Sequence, residues 1–212
     1  MTDTSSTNEI RIDDPSARMI YLRGLAIGYY ANIEQSLASL LTYLMRVEHK
    51  VGGLIFFSVV NTRSRRRIIN KLLNMRLGDA AKPFRRFMDN ELNFLDGKRN
   101  EIVHWAPVNK ISGNHRIGID KPDSVALSPP NLSESIGNSI EVTDADIVEF
   151  VNRCEFLHRA INIFVFLHFQ EEPDDASLNT LREKYEQPWS YPPAEGHPLY
   201  KPPLTLAGQP QS

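Results

Sequence analysis

The chain has 212 residues, 41% of them hydrophobic, which suffices for one sizeable core with appendages. One cysteine, Cys154, excludes an internal disulfide and a cysteine-rich metal site. No apolar run reaches the roughly 18 residues of a membrane span, and Met1 to Ser6 lacks the basic and apolar regions of a secretory leader, so a cytoplasmic location is expected. The formal net charge of −2 conceals segregation of sign: from Asn61 to Met88 nine basic residues stand against the single acid Asp79. Such a segment attracts polyanions, although a charge run is more often simply a solvated helix face.

Residues 1–14 are polar and read as a flexible N-terminus, closed by Asp14-Pro15, an N-cap followed by proline at the first helical position. Leu22, Leu25, Ala26, Tyr29, Ile33, Leu37, Leu40, Leu41 and Leu44 then recur at three and four, predicting a long amphipathic helix to about Val47. Gly24 and Gly28, one turn apart, would admit a close neighbouring helix, and Gly52-Gly53 is expected to end the element. Leu54 to Val60 reads as a short buried helix. In the basic segment that follows, Ile68, Ile69, Leu72, Leu73 and Met75 form the apolar side and the arginines the other, up to an interruption at Gly78-Asp79. The next helix is predicted from Lys82 to Trp105, with Gly97 as a soft spot.

After Pro107 the pattern changes to Gly, Pro, Asn and Ser with short β-branched pieces: Val108 to Ile111, a turn at Ser112 to His115, then Arg116 to Ile119. A further extended piece, Ser124 to Leu127, precedes Pro129-Pro130, so 107–140 is expected to be a hairpin-bearing, irregular insertion. Thr143-Asp144-Ala145-Asp146 caps a last helix that runs to about Phe169 and is central to the core. Eight prolines from Pro173 onward are expected to exclude regular helix or sheet from a tail, 171–212, of which Trp189, Tyr191 and Tyr200 would lie on the body or on a partner.

The stretch that carries chemistry is Asp96-Gly97-Lys98-Arg99-Asn100-Glu101-Ile102-Val103-His104-Trp105. Pro107 disfavours helix at Ala106, which sets His104 and Trp105 on or just past the last turn. Asn100 and His104 share a face, whereas Arg99 lies about 140° around the axis from His104. Two copies of this helix end, one from each chain of a dimer, could bring both residue types to one target. Arg binds phosphate oxygens bidentately and suits a pentavalent transition state; His moves protons near neutrality; Asn orients without charge. The plainer reading is a helix C-terminus stabilised by Lys98 and Arg99 through the macrodipole.

Two Glu-x-x-His pairs, Glu101 to His104 and Glu155 to His158, have the spacing of di-iron bundles, but with Glu34 as a third carboxylate the set still lacks one acid, so no metal site is assigned. His158 and His168 read as packed histidines and Cys154 as a small buried hydrophobe. No nucleotide-loop or hydrolase-elbow motif occurs, and no cofactor is expected.

At Arg99-Asn100-Glu101-Ile102-Val103-His104 the chain resembles the HEPN family (higher eukaryotes and prokaryotes nucleotide-binding domains), helical bundles of about four or five helices with an R-x(4–6)-H motif and often a polar residue after the arginine. The likeness covers roughly Pro15 to Phe169. It implies an all-α, HEPN-like bundle over 15–170 with a short β-hairpin or irregular insertion before the last helix. It further implies a homodimer whose facing motifs cut RNA without metal. His104 would be general acid or base, Arg99 would stabilise the phosphorane and Asn100 would orient them. Arg63, Arg65, Arg66, Arg67, Lys71 and Lys98 are the expected RNA contacts. Many members of the family work beside an antitoxin or in phage defence, and some bind RNA or proteins without cutting. The insertion and the tail fall outside the family pattern.

Overall fold

The computed structural model describes residues 9–110, 122–130, 141–169, 180, 182–185 and 189–207. The fold is helical with a small β insertion, as expected, and several helix boundaries have a local cause. β1 (Glu9–Ile10) precedes α1 (Pro15–Met45), which starts where Asp14 Oδ2 accepts the Ala17 N–H at 2.8 Å. It ends at Arg46, a non-glycine residue in the left-handed region at φ 56°.

α2 (His49–Ser58) contains Gly52 and Gly53 instead of following them. The sequence expectation fails here because Gly52 serves packing: a Cβ on it would lie 1.9 Å from Thr42 Oγ1. The apolar run is helical as predicted but not buried throughout, since Phe56 is 1% exposed and Leu54 71%.

α3 (Thr62–Leu77) is capped by Asn61, whose Oδ1 accepts the Ser64 N–H at 3.1 Å. It stops at Gly78, whose φ of 55° suits glycine, and a 3-10 turn, Gly78–Ala81, leads into α4 (Lys82–His104). β2 (Ala106–Lys110) pairs antiparallel with β3 (Ser124–Ser128), Ala106 opposite Ser128 and Lys110 opposite Ser124. The expected turn at Ser112 to His115 and arm at Arg116 to Ile119 lie outside the described residues. α5 (Asp144–Phe169) opens on a reciprocal cap in which Asp146 Oδ2 accepts the Thr143 N–H at 2.8 Å and Thr143 Oγ1 accepts the Asp146 N–H at 3.3 Å.

The chain divides into two compact units. The first takes the described parts of Met1–Tyr30, Leu95–Asn152 and Pro202–Ser212. Its core includes Leu22, Ala26, Ile102, Leu127, Val142, Ile147 and Phe150, and an Arg18–Asp144 ion pair at 2.6 Å joins α1 to α5. The expectation that the N-terminus is loose is corrected at Glu9–Ile10, and the expectation of a tail without helix or sheet is corrected twice: residues 180 and 182–185 are helical, and β4 (Thr205–Leu206) lies parallel to Glu9–Ile10. Asn152 makes this possible, because its side chain donates to Leu204 O at 3.0 Å and accepts from Leu204 N at 2.8 Å, as a neighbouring strand would.

The second unit takes Ala31–Phe94 and the described parts of Arg153–Lys201. Phe84 and Phe164 stack at 3.8 Å between ring centroids, and Trp189 packs on Phe84 at 5.3 Å and Phe87 at 6.1 Å, so this part of the tail lies on the helices as expected. Arg153 sits over Phe94 at 4.3 Å and Tyr191 at 4.6 Å. Among the described residues no helix is long and apolar enough to cross a membrane.

Candidate functional site

The last turns of α4 belong to the first unit and run unbroken through Gly97, where a Cβ would meet nothing within 4 Å. Two residues of α1 fix this helix end. The Tyr30 hydroxyl donates to Asp96 Oδ1 at 2.5 Å, and Arg23 Nη2 donates to Val103 O at 2.9 Å, satisfying one of the carbonyls that a helix C-terminus leaves without a partner. The Trp105 N–H still bonds to Glu101 O at 3.0 Å, so His104 closes the helix and Trp105 follows it, as the position of Pro107 predicts.

Arg99 is half-buried, with its guanidinium 5.8 Å from the Tyr30 ring centre and Nη1 donating to Asn100 Oδ1 at 3.3 Å. Both ties are long, which leaves most of its five donors for an incoming group. Asn100 and His104 are exposed, and among the described residues His104 has no hydrogen-bond partner. The Asn100 oxygen is thus engaged by Arg99 and not by the imidazole one turn on. Lys98 pairs with Glu101 at 2.6 Å. A solvent-facing imidazole with a lightly held guanidinium five residues earlier can bind an oxyanion and move a proton.

The expected RNA contacts separate. Arg63, Arg66, Arg67 and Lys71 line an open cleft of about 700 Å³ in the second unit, together with Arg85, Asn70, Asn74 and Asn93. Arg65 does not join them. It donates to Glu34 Oε1 at 2.7 Å and to Val59 O, lies 4.7 Å over the Phe56 ring, and its side chain is 12% exposed. Lys98 lies in the unit of the Arg99–His104 segment.

Sequence reasoning missed Tyr30 and Arg23, whose roles depend on a neighbouring helix. It also missed the asparagines of the cleft, which their spacing of four on α3 could have revealed.

The carboxylates of the Glu-x-x-His pairs are engaged by cations: Glu101 by Lys98, Glu155 by Lys201 at 3.1 Å, and Glu34 by Arg65. Among the described residues no group of three His, Cys, Asp or Glu side chains is disposed to hold a metal ion. His158 is held between Ser36 Oγ at 2.7 Å and the Asn162 amide at 3.2 Å. Burial drives the Cys154 thiol far above its ordinary pKa, so it stays protonated.

Comparison with protein-family models, with curated proteins and with solved structures gave no match for this chain.

Proposed function

We propose that this chain is a metal-independent endoribonuclease of HEPN type, working as a homodimer in the cytoplasm. The observation that carries the reading is the end of α4, where an exposed His104 follows Arg99 and Asn100 on a helix end pinned by Tyr30 and Arg23. In the reaction the ribose 2′-OH attacks the adjacent phosphorus and the P–O5′ bond breaks, leaving a 2′,3′-cyclic phosphate and a 5′-hydroxyl. One His104 takes the proton of the 2′-OH, the other copy's His104 returns one to O5′, and Arg99 holds the charge of the phosphorane. Metal-independence follows from this chemistry, in which cationic and proton-transferring side chains do what a Lewis acid would.

Two copies are required because Arg99 and His104 are about 140° apart on one helix. A surface for the second copy is at hand in the same unit: Ile20 is 73% and Ile27 51% exposed on α1, and a Cβ on the intervening Gly24 or on Gly28 would meet nothing within 4 Å. Cleavage of cellular RNA is toxic, so a toxin–antitoxin, phage-defence or stress-response setting with a protein partner that restrains the enzyme accompanies the proposal.

A second reading, a non-catalytic dimeric RNA-binding or scaffolding module, is favoured by one observation. The basic cleft of α3 and α4 belongs to the other unit and needs no chemistry to hold RNA. Incubating a mixed RNA pool in EDTA with wild type, Arg99→Ala and His104→Ala, and reading the ends of the products, separates the two. Cyclic-phosphate ends made by wild type alone are expected; cleavage by none of the three, with RNA still bound, would overturn the enzyme in favour of the module.

A further inference from the structure

α3 and α4 carry a polar construction that the Arg99–His104 chemistry does not use. Arg66, Asn70 and Asn74, one turn apart on α3, meet Asn93, Asp89 and Arg85, one turn apart on α4, in reverse order. Arg66 Nη1 donates to Asn93 Oδ1 at 2.7 Å, Asn70 Nδ2 to the two Asp89 oxygens at 2.9 and 2.8 Å, and Arg85 Nη1 to Asn74 Oδ1 at 3.3 Å. Helices that only needed to pack would place apolar residues here, as they do one row away at Ile69 and Leu73. The rungs instead form the hydrogen-bonded floor of the 700 Å³ cleft.

Beside that floor Arg63, Arg67 and Lys71 form a row on α3 at intervals of four residues. All three are exposed, and among the described residues none has a hydrogen-bond or ionic partner. Among the described residues, five of the charged groups lining the cleft are cations and Asp89 alone is an acid. Unpaired cations held in a row are costly to the fold and gain by releasing the counterions of a polyanion.

The spacing selects the polyanion. Four residues of helix rise about 6 Å, comparable to the separation of successive phosphates along an extended nucleic-acid strand. The whole row spans about 12 Å, more than the phosphates of a nucleoside triphosphate, which are bridged by single oxygens. Two of the three cations are arginines, whose forked donors match phosphate. The row ends at Met75, which is 78% exposed, with Asn74 next to it, neutral groups suited to bases that are not paired.

We infer that this cleft is a groove for single-stranded RNA, with Arg63, Arg67 and Lys71 on successive phosphates and the bases toward Asn74 and Met75. The choice of RNA rests on the reading of the preceding section; the groove itself does not. Asp89 is the one repulsive group and is held off the strand by Asn70.

The test is fluorescence anisotropy of a labelled single-stranded RNA on the full chain carrying His104→Ala, so that the probe is not cut. Three phosphate contacts give a slope of log affinity against log salt of about −2, a loss of roughly twenty-fold between about 50 and 200 mM salt. Arg63→Gln, Arg67→Gln and Lys71→Gln should each reduce the slope by about 0.7. The triple variant should bind with no salt dependence from this row, and Asp89→Asn, which keeps an amide oxygen toward Asn70, should bind more tightly. The three positions are exposed, so the substitutions leave the fold in place, and an unchanged melting temperature checks it.

A triple variant that binds like its parent overturns the inference, as does stronger binding of duplex RNA or of an acidic peptide than of the single strand. Cleavage by the wild type is read separately. Binding through the row without any cleavage keeps the groove and removes the nuclease; cleavage with an unchanged triple variant does the reverse.

Discussion

Replacing Gly52 by alanine should destabilise the protein, while the same change at its neighbour Gly53 should stabilise it. In an unencumbered helix glycine costs about 0.5–1 kcal/mol relative to alanine, which sets the gain expected at Gly53, where a Cβ would meet nothing within 4 Å. At Gly52 the Cβ would lie 1.9 Å from Thr42 Oγ1, 2.8 Å from Thr42 Cβ and 3.0 Å from Thr42 Cα. Rotating the hydroxyl away breaks its 2.9 Å bond to Ala38 O and leaves the other two contacts, one of them to backbone, so α2 must shift. Overpacking of this kind costs about 1–3 kcal/mol, which outweighs the gain in helix propensity. Thermal unfolding followed by circular dichroism reads the difference, since about 1 kcal/mol moves the midpoint by roughly 2–4 °C in a protein of this size. A midpoint for Gly52→Ala that rises with that of Gly53→Ala would refute the account of Gly52 as the residue that lets α2 pack against Thr42.

Arg65→Met should lower stability by about 1–3 kcal/mol by leaving Glu34 without its cation, and should leave the salt dependence of RNA binding unchanged; a reduced salt slope would return Arg65 to the RNA surface. His168 and His197 both titrate below the ordinary imidazole value, chiefly because the protein packed around each ring disfavours its charged form, although His168 keeps part of its surface in solvent, and further because Arg182 and Arg159 repel it. Below about pH 6.5 the unfolded chain therefore binds more protons than the native one, so the melting temperature should fall as the pH drops from there toward the lowered native values. His168→Gln and His197→Gln together should flatten that fall; a steeper one would contradict it. Cys154 should resist thiol reagents in the native protein and react at once in urea, and rapid native labelling would show that its helix face opens.

What could be read in advance is what neighbours along the chain decide. Asp14-Pro15, the Thr143–Asp146 cap and the stop at Pro107 act within one turn, and the helices begin and end where those residues place them. The amphipathic spacing likewise gave inward residues of α5 and most of those of α1, where Leu25 and Tyr29 prove half-buried and Met19 and Tyr30 buried instead. Gly52-Gly53 misled because the residue that explains it, Thr42, sits on the preceding helix. Among four arginines between 63 and 67 nothing local marks Arg65 as the one drawn inward; Glu34 and the Phe56 ring do that from other elements. Tyr30 escaped notice because the periodicity favoured Tyr29, and the hydroxyl that reaches Asp96 has no signature in spacing. The pairing of Glu9–Ile10 with Thr205–Leu206 joins segments at opposite ends of the described chain, and two residues are too few to carry a strand pattern.

That pairing also orders events during synthesis. The unit containing Arg99, Asn100 and His104 needs Leu204 for the Asn152 side chain and Thr205–Leu206 for β1, so a ribosome that has long since made the helix end still holds back a piece of its surroundings. The segment from Pro202 to Ala207 acts as a closing clasp in time as well as in space: the nascent chain presents its arginine and histidine on an unfinished scaffold, which is completed only when translation has passed residue 206.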